Sequence, residues 1–183
     1  MALPMTIAMA KKSRALQERG IDIISLSLGE PDFDTPELAK AAGIRGIEEN
    51  FSHYMPVSGY NDVRDAVATK FVRDNHLTYS RSQIVVSTGA KQSIANLLMA
   101  LINPGDEVII PAPYWVSYPD MVLLAGGTPV PVVAGIDTQF KLTPEQLEAA
   151  ITPKTKWFIF NSPSNPTGAG YTRAELRALC DVL

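Results

Sequence analysis

The fold is decided by the stretch KWFIFNSPSNPTG, which covers residues 156–168. Its first part, residues 156–160, contains the apolar run at residues 157–160, which has the aromatic content of a buried strand. Its second part turns at two prolines, and a capping box at Thr172 predicts a new helix. Open α/β sheets hold small ligands in polar loops that leave the carboxyl ends of parallel strands. Asn165 is therefore expected where a side-chain amide can address a ligand, although an ordinary Pro/Asn turn explains the stretch equally well.

Strand-like and helix-like segments alternate from Ile84 to the carboxyl end. The predicted strands are residues 84–86, 107–110, 128–133 and 156–160. The predicted helices between them are residues 92–102, 116–125 and a helix that a capping box at Thr143 begins and that reaches Ile151. This order predicts an α/β fold with a mostly parallel sheet flanked by helices.

The first fifty residues differ from the rest. They contain an initial helix, one strand at residues 23–28, and a long loop that leads to a helix for which Thr35 is a suitable cap. We interpret residues 1–50 as an amino-terminal arm with part of a small domain. Residues 51–183 are then a larger domain that carries the sheet.

Composition excludes several classes of function. With 46% hydrophobic and 19% charged residues, the chain is expected to be globular and ordered. A net charge of -3 offers no basic surface for nucleic acid. No apolar run approaches the roughly 20 residues that span a bilayer, and the opening residues lack the features of a signal peptide. We therefore expect neither a nucleic-acid partner nor a membrane partner.

Cysteine and histidine usage points away from disulfide and metal chemistry. The lone Cys180 fits a reducing cytoplasm and is predicted to be a small buried apolar residue on the last helix. His53 and His76 are the only histidines, and their spacing does not resemble that of a metal site. We expect both histidines to be solvated or to cap a helix.

The turn STGAKQ, residues 87–92, joins a predicted strand to the amino end of a predicted helix. Small residues let the backbone approach a ligand, and the free N–H groups and helix dipole favour an anion such as phosphate. Lys91 would add positive charge. The turn matches neither the Walker pattern nor the dinucleotide fingerprint, and many such turns carry glycine for geometry alone.

Trp115 follows the predicted strand at residues 107–110, where an indole ring can stack on a planar ligand. An isolated tryptophan more often packs in the core. Here, however, the turn at Lys91, Trp115 and Asn165 each follow a strand of one sheet, so all three are expected at the same edge. An anion anchor, a stacking ring and an amide together suit a planar phosphorylated cofactor.

Six motifs occur in the order found in one enzyme family. They are GEPDFDTP (29–36), Tyr54 with Pro56 and Gly59, TGAKQ (88–92), NPGDEV (103–108), PYW (113–115) and NSPSNPTG (161–168). The chain thus resembles the class I aminotransferases, which are pyridoxal-phosphate enzymes of fold type I, and bacterial aspartate aminotransferases in particular. The resemblance covers nearly the whole chain.

The resemblance implies a role for each matching residue. Gly29 presents backbone to the substrate carboxylate. The cup for the phosphate of pyridoxal 5'-phosphate includes Gly89, Ala90 and Lys91. Trp115 stacks on the pyridine ring, and Asn165 hydrogen-bonds the phenolic oxygen of the ring; both also face the substrate. Tyr54 reaches the cofactor phosphate of the neighbouring subunit, which implies a homodimer with a shared active site.

The resemblance also implies an incomplete site. In the family, the lysine that forms the Schiff base lies well past the Asn-Pro-Thr-Gly motif, as do an aspartate for the pyridinium nitrogen and an arginine for the substrate carboxylate. No catalytic residue of this kind is found in the chain, and Lys91 is not a substitute because its turn directs it at the anion. We expect a truncated, amino-terminal part of the fold that is inactive alone.

The activity implied for the intact protein is transfer of an amino group from an amino acid, first aspartate, to a 2-oxo acid, first 2-oxoglutarate, in the cytoplasm. Two alternatives remain open. The chain could be a non-catalytic module that binds a phosphorylated ligand or dimerises. The intact protein could also be another fold-type-I enzyme, such as a carbon–sulfur lyase.

Overall fold

The computed structural model of the chain describes residues 5–24, 26 and 29–183. The chain divides into two compact units, Met1–Tyr60 and Asn61–Leu183. Of the strand predicted at residues 23–28, Ser25, Ser27 and Leu28 lie outside the described residues, and the other three residues are not in a strand.

The first unit contains two helices, α1 (Met5–Gln17) and α2 (Glu37–Glu48). The predicted cap at Thr35 is wrong by one residue, because Pro36 occupies the cap position of α2 with extended backbone and no side-chain bond. Among the described residues of this unit, only Ala10 and Gly59 are buried. The apolar side chains of α2 therefore find no core among the described residues of their own unit.

The second unit alternates helices and strands, as the sequence predicts. Its elements are α3 (Asn61–Lys70) with a π turn at Phe71–Asn75, α4 (Ala90–Leu101), β1 (Glu107–Ala112), α5 (Ser117–Leu124), β2 (Thr128–Val133), α6 (Pro144–Ala150), β3 (Thr155–Phe158) and α7 (Arg173–Cys180). Capping boxes at Thr143 and Thr172 begin α6 and α7, which confirms both predicted helix starts.

The three strands form one parallel sheet in the order β2-β1-β3. The central strand is buried on both faces because its run of Val108, Ile109 and Ile110 packs on both sides. Val108 and Ile110 face α4 and α5, whereas Ile109 faces Leu147 of α6. This arrangement confirms the predicted α/β fold.

The predicted strand at residues 84–86 does not form. A strand exists through its ladder of hydrogen bonds, and no partner strand is found among the described residues. The segment is instead held from the side by Arg64 of α3, which donates from Nε to the Ile84 carbonyl at 2.9 Å and from Nη2 to the Arg81 carbonyl at 2.5 Å. Ile84 has extended backbone, but residues 84–86 do not join the sheet.

The outer side of β3 carries an apolar groove. The strand ends at Phe158, two residues earlier than predicted, and Cys180 is exposed rather than buried. Cys180 lines this groove together with Phe158, Phe160, Leu176, Leu179 and Leu183. The prediction for Cys180 was wrong because no described residue covers the groove.

One buried polar atom of the sheet has no hydrogen-bond partner among the described residues. The Nε1 atom of Trp157, on β3, is buried and finds no acceptor among the described residues. No described helix is long and apolar enough to cross a membrane. In the same part of the chain, no group of three or more His, Cys, Asp or Glu side chains is placed to hold a metal ion.

Candidate functional site

The loops that follow β1 and β3 meet at one edge of the sheet. Because these strands are adjacent and parallel, their carboxyl ends and the loops after them lie on the same side. The two loops enclose a cavity of about 20 Å³, room for a single water molecule. Its lining includes Tyr114 and Tyr118 after β1, Asn161, Ser164 and Asn165 after β3, and Phe140 and Tyr171. The cavity is too small for the ring of a ligand. Its lining residues can therefore form only the wall of a site.

The loop that carries Asn165 is fixed by its own hydrogen bonds. The Asn165 N–H donates to Asn161 Oδ1 at 2.7 Å, and the Gly168 N–H donates to the Ser164 carbonyl at 2.8 Å. Gly168 has a φ of 73°, which a glycine adopts without strain. Asn165 is exposed, and its side-chain amide makes no hydrogen bond with a described residue. The loop backbone at Asn165 is therefore held in place, and its side-chain amide remains available to a ligand.

The turn before α4 presents free donors. Gly89 is the cap residue with a φ of 84°, and the space where its Cβ would lie is open. The Thr88 N–H donates to Gln92 Oε1 at 2.5 Å, while the N–H groups of Ala90 and Lys91 meet no acceptor among the described residues. Two free N–H groups at the start of a twelve-residue helix are suited to an anion.

Lys91 and Trp115 are in direct contact. The Lys91 ammonium lies over the indole ring, 4.8 Å from its centroid. Trp115 is half-buried and packs edge-on against Tyr118 at 5.4 Å, so it belongs to the core on one side and faces the turn on the other. The turn thus reaches Trp115 although the segment before it is not a sheet strand, which corrects the expectation that three sheet strands assemble the site.

The structure places the predicted site residues in two groups. Lys91 and Trp115 touch, and Trp115 contacts Tyr118, which lines the same cavity as Asn165. Gly29 and Tyr54 belong to the first unit, where Tyr54 is fully exposed. Their roles stay predictions.

Three aromatic residues of the wall were not predicted from the sequence. Tyr118 and Tyr171 are both phenols whose pKa is raised, foremost by burial, so both hydroxyls stay protonated at neutral pH. Phe140 is the third. Of the three, only Tyr171 has a sequence pattern that could have drawn attention to it. It directly precedes the capping box at Thr172, and an apolar residue at that place is a known feature of helix starts.

Comparisons with known proteins agree with one another. The family model for class I and II aminotransferases matches residues 21–183. An aspartate/prephenate aminotransferase of Cereibacter sphaeroides is 64% identical over 97% of this chain and 44% of that protein. The corresponding protein of Nitrosomonas europaea is 52% identical over 97% of this chain and 45% of its own length.

Solved structures show the same relationship. The aspartate aminotransferase of Thermus thermophilus with maleate superposes with a TM-score of 0.95 at 43% identity, over all of this chain and 48% of that one. That of Rhizobium meliloti gives 0.93 at 43% identity, over all of this chain and 46% of that one. The chain spans less than half the length of these relatives, and the family match covers nearly all of it. The chain therefore belongs to the class I and II aminotransferase family.

Proposed function

We propose that the intact protein transfers an amino group from aspartate to a 2-oxo acid, with pyridoxal 5'-phosphate as cofactor. The names of its relatives support aspartate as the donor and add prephenate to 2-oxoglutarate as an acceptor to be tested. Because the chain spans less than half of those relatives, the proposal concerns the protein at its full length.

The observation that carries the proposal is the contact between Lys91 and Trp115 at the amino end of α4. The Lys91 ammonium is 4.8 Å from the centroid of the Trp115 ring, so a positive charge and an indole face are adjacent, as a planar ligand with an anionic arm requires. The donor set fits a phosphate: the free N–H groups of Ala90 and Lys91, the ammonium, and the open space beside Gly89. A ligand ring that stacks on Trp115 takes the face opposite the ammonium or displaces it.

In the proposed reaction, the residues of this chain bind the cofactor and orient it. When bound, the cofactor supplies the electron sink that stabilises negative charge at the substrate α-carbon. Gly89, Ala90 and Lys91 hold the phosphate, and Trp115 sets the plane of the ring. The Asn165 amide donates to the phenolic oxygen of the ring, which favours the ionised form of that oxygen and lowers its pKa.

Gly29 and Tyr54 are assigned to the substrate carboxylate and to the cofactor phosphate of a neighbouring subunit. The full exposure of Tyr54 within its own chain supports a contact supplied by a second subunit. The proposed assembly is a homodimer with a shared site. The proposed location is the cytoplasm, where the lone Cys180 stays reduced.

The test is an amino-transfer assay on the full-length gene product, with aspartate as donor and 2-oxoglutarate or prephenate as acceptor. We expect transfer to both or to one of them. Absence of transfer from every amino-acid donor would overturn the proposal. Release of a 2-oxo acid without any acceptor would assign the protein to the lyases instead.

Lys91→Met tests the anion anchor, and Lys156→Met, at an exposed lysine of β3, is the matched control. The Lys91 variant should bind the cofactor more weakly, whereas the control should match the wild type. If only the KM for aspartate rises while cofactor affinity is unchanged, the Lys91 ammonium serves the side chain of the substrate and not the phosphate.

A further inference from the structure

Tyr171 joins two loops that are distant in sequence. Its hydroxyl accepts a hydrogen bond from the Leu142 N–H at 2.6 Å, across 29 residues. Its own N–H donates to Ser162 Oγ at 3.3 Å, and its ring packs edge-on against Phe160 at 4.9 Å. One residue thus fixes the loop of Asn165, residues 161–170, to the end of β3 and to the loop at residues 135–142.

A second tie joins the same two segments. Glu175 of α7 pairs through Oε1 with the Lys141 ammonium, and its Oε2 accepts from the Thr172 N–H at 2.6 Å. The helix that follows the Asn165 loop is therefore anchored at Lys141, next to the residue that Tyr171 holds. Two neighbouring residues of one loop, Lys141 and Leu142, receive both ties.

The loop at residues 135–142 needs such support. Gln139 and Phe140 both have a positive φ, 55° and 58°, a conformation that side chains of this size adopt only when the surroundings impose it. The Phe140 N–H donates to the Gly135 carbonyl at 2.8 Å, and the side chain lines the cavity that Asn165 also lines. The strained turn thus supplies one wall beside the Asn165 loop.

We propose that Tyr171 is a positioning residue that acts through Asn165. Its hydroxyl holds the Leu142 N–H, which keeps the Phe140 wall in place and fixes the loop from which the Asn165 amide addresses the cofactor. Tyr171 itself need not touch the cofactor or the substrate. The inference rests on the proposed function only for the identity of the ligand that Asn165 addresses.

The first test uses Tyr171→Phe in the full-length protein freed of cofactor. The variant keeps the ring on Phe160 and leaves the Leu142 N–H without its acceptor. Loss of one hydrogen bond should speed hydrogen–deuterium exchange across residues 161–170 on the order of five- to tenfold. Tyr79→Phe is the control, because Tyr79 also packs edge-on against a phenylalanine, at 5.5 Å, and its hydroxyl has no partner among the described residues. Unchanged exchange in the Tyr171 variant would overturn the proposal.

The second test measures the midpoint pH of the absorption change of the bound cofactor. Asn165→Ala should raise this midpoint, because it removes a donor to the phenolic oxygen. Tyr171→Phe should raise it by less, and the double variant should match Asn165→Ala alone. A merely structural Tyr171 would lower the melting temperature without moving the midpoint, and an additive double variant would show that it acts independently of Asn165; either result overturns the proposal.

Lys141→Met provides a test if Tyr171→Phe does not fold. It removes the second tie and leaves the Tyr171 hydroxyl intact, so the same exchange increase should appear in residues 161–170. Unchanged exchange in this variant would overturn the proposal. The exchange readout needs no cofactor, so a failure of the proposed function would appear as absent cofactor binding, while the exchange result still decides whether the contacts at Lys141 and Leu142 fix the Asn165 loop.

Discussion

The two units of the chain differ in how much of their apolar surface they bury. In the second unit, Val108, Ile109 and Leu147 are completely inaccessible to solvent. In the first unit, Leu26 and Phe33 are 92% and 87% exposed, and the described residues offer only Ala10 and Gly59 as buried ones. Both units carry large apolar side chains, but in the described part of the chain the clusters of buried apolar residues all belong to the second unit.

This difference divides the proposed site. Lys91, Trp115 and Asn165 stand on elements that the chain's own packing holds. Gly29 and Tyr54 belong to a unit whose described residues include only two buried ones, Ala10 and Gly59. The cofactor-facing residues of the second unit should therefore be pre-organised, whereas those of the first unit should depend on further contacts.

The largest expected effect is a difference between the two units in how much a core substitution lowers the free energy of unfolding. In the 183-residue chain, Leu147→Ala should lower the free energy of unfolding by about 2–5 kcal/mol, because it opens a cavity between α6 and the sheet. Leu38→Ala, on exposed α2, should change it by less than about 0.5 kcal/mol. Urea unfolding of both variants measures the difference. Equal costs would show that the first unit has a core of its own.

Trp115→Ala should weaken cofactor binding in the full-length protein without unfolding it. Aromatic stacking contributes about 0.5–1.5 kcal/mol beyond burial, a loss of roughly two- to tenfold in affinity. Trp115→Phe keeps a ring at this position and should retain most of the affinity. Spectroscopic titration with the cofactor measures both variants. A Trp115→Ala protein that unfolds, but binds the cofactor normally while folded, would make Trp115 a core residue.

Acid should weaken the link between α7 and the loop at Lys141. The Lys141 ammonium, and then the hydrogen bonds from Thr172, lower the pKa of Glu175 from 4.5 to about 2. A carboxyl whose pKa is lowered by folding stabilises the fold above its ordinary pKa, and this contribution is lost as the pH falls from 4.5 towards 2.

Acid unfolding curves of Glu175→Gln and wild type should therefore converge over that pH range, with the wild type more stable above it. Glu37→Gln, which removes the exposed pair with Lys40 on α2, is the control from the first unit and should lie within about 1 kcal/mol of the wild type. High salt should reduce the Glu175 effect, since its side chain is 39% exposed. A pH-independent difference between Glu175→Gln and wild type would contradict this account.

The smallest expected effect is covalent labelling of the lysines by the cofactor. All eight are in the described part of the chain, and seven of them are exposed; the other, Lys141, is paired with Glu175. None is buried in the manner that activates an amine for covalent attachment to the cofactor. Incubation of the 183-residue chain with pyridoxal 5'-phosphate, borohydride reduction and peptide mapping should give weak labelling spread over several lysines. Stoichiometric labelling of one lysine would show that this chain carries a reactive amine.

Local patterns predicted the elements well where local forces determine them. Residues 128–133 formed the predicted strand, and the capping boxes at Thr143 and Thr172 began their helices as expected. The strand predicted at residues 84–86 failed because β-branched residues favour extended backbone and cannot supply a ladder partner. The prediction that Cys180 is buried was wrong for a related reason, because the burial of a helix residue depends on which residues cover that helix.

In the candidate site, too, local patterns identified some residues, and residues that depend on distant contacts were missed. Lys91, Trp115 and Asn165 were identified from the turns that carry them, and the contact between Lys91 and Trp115 brings two of these turns together. Tyr171 and Phe140 were missed because their importance arises from contacts across long stretches of chain, such as the bond between Tyr171 and Leu142. The positive φ of Phe140 has no sequence signal either, because that residue type disfavours it.

The two tryptophans have an optical consequence. Trp157 keeps its indole nitrogen away from water and without a partner among the described residues, so its fluorescence should be shifted to the blue and report the state of the core. Trp115 lies beside the Lys91 ammonium at the proposed stacking position, so a bound ring should quench its emission. A single emission spectrum would then carry both a ligand signal and an internal reference for folding.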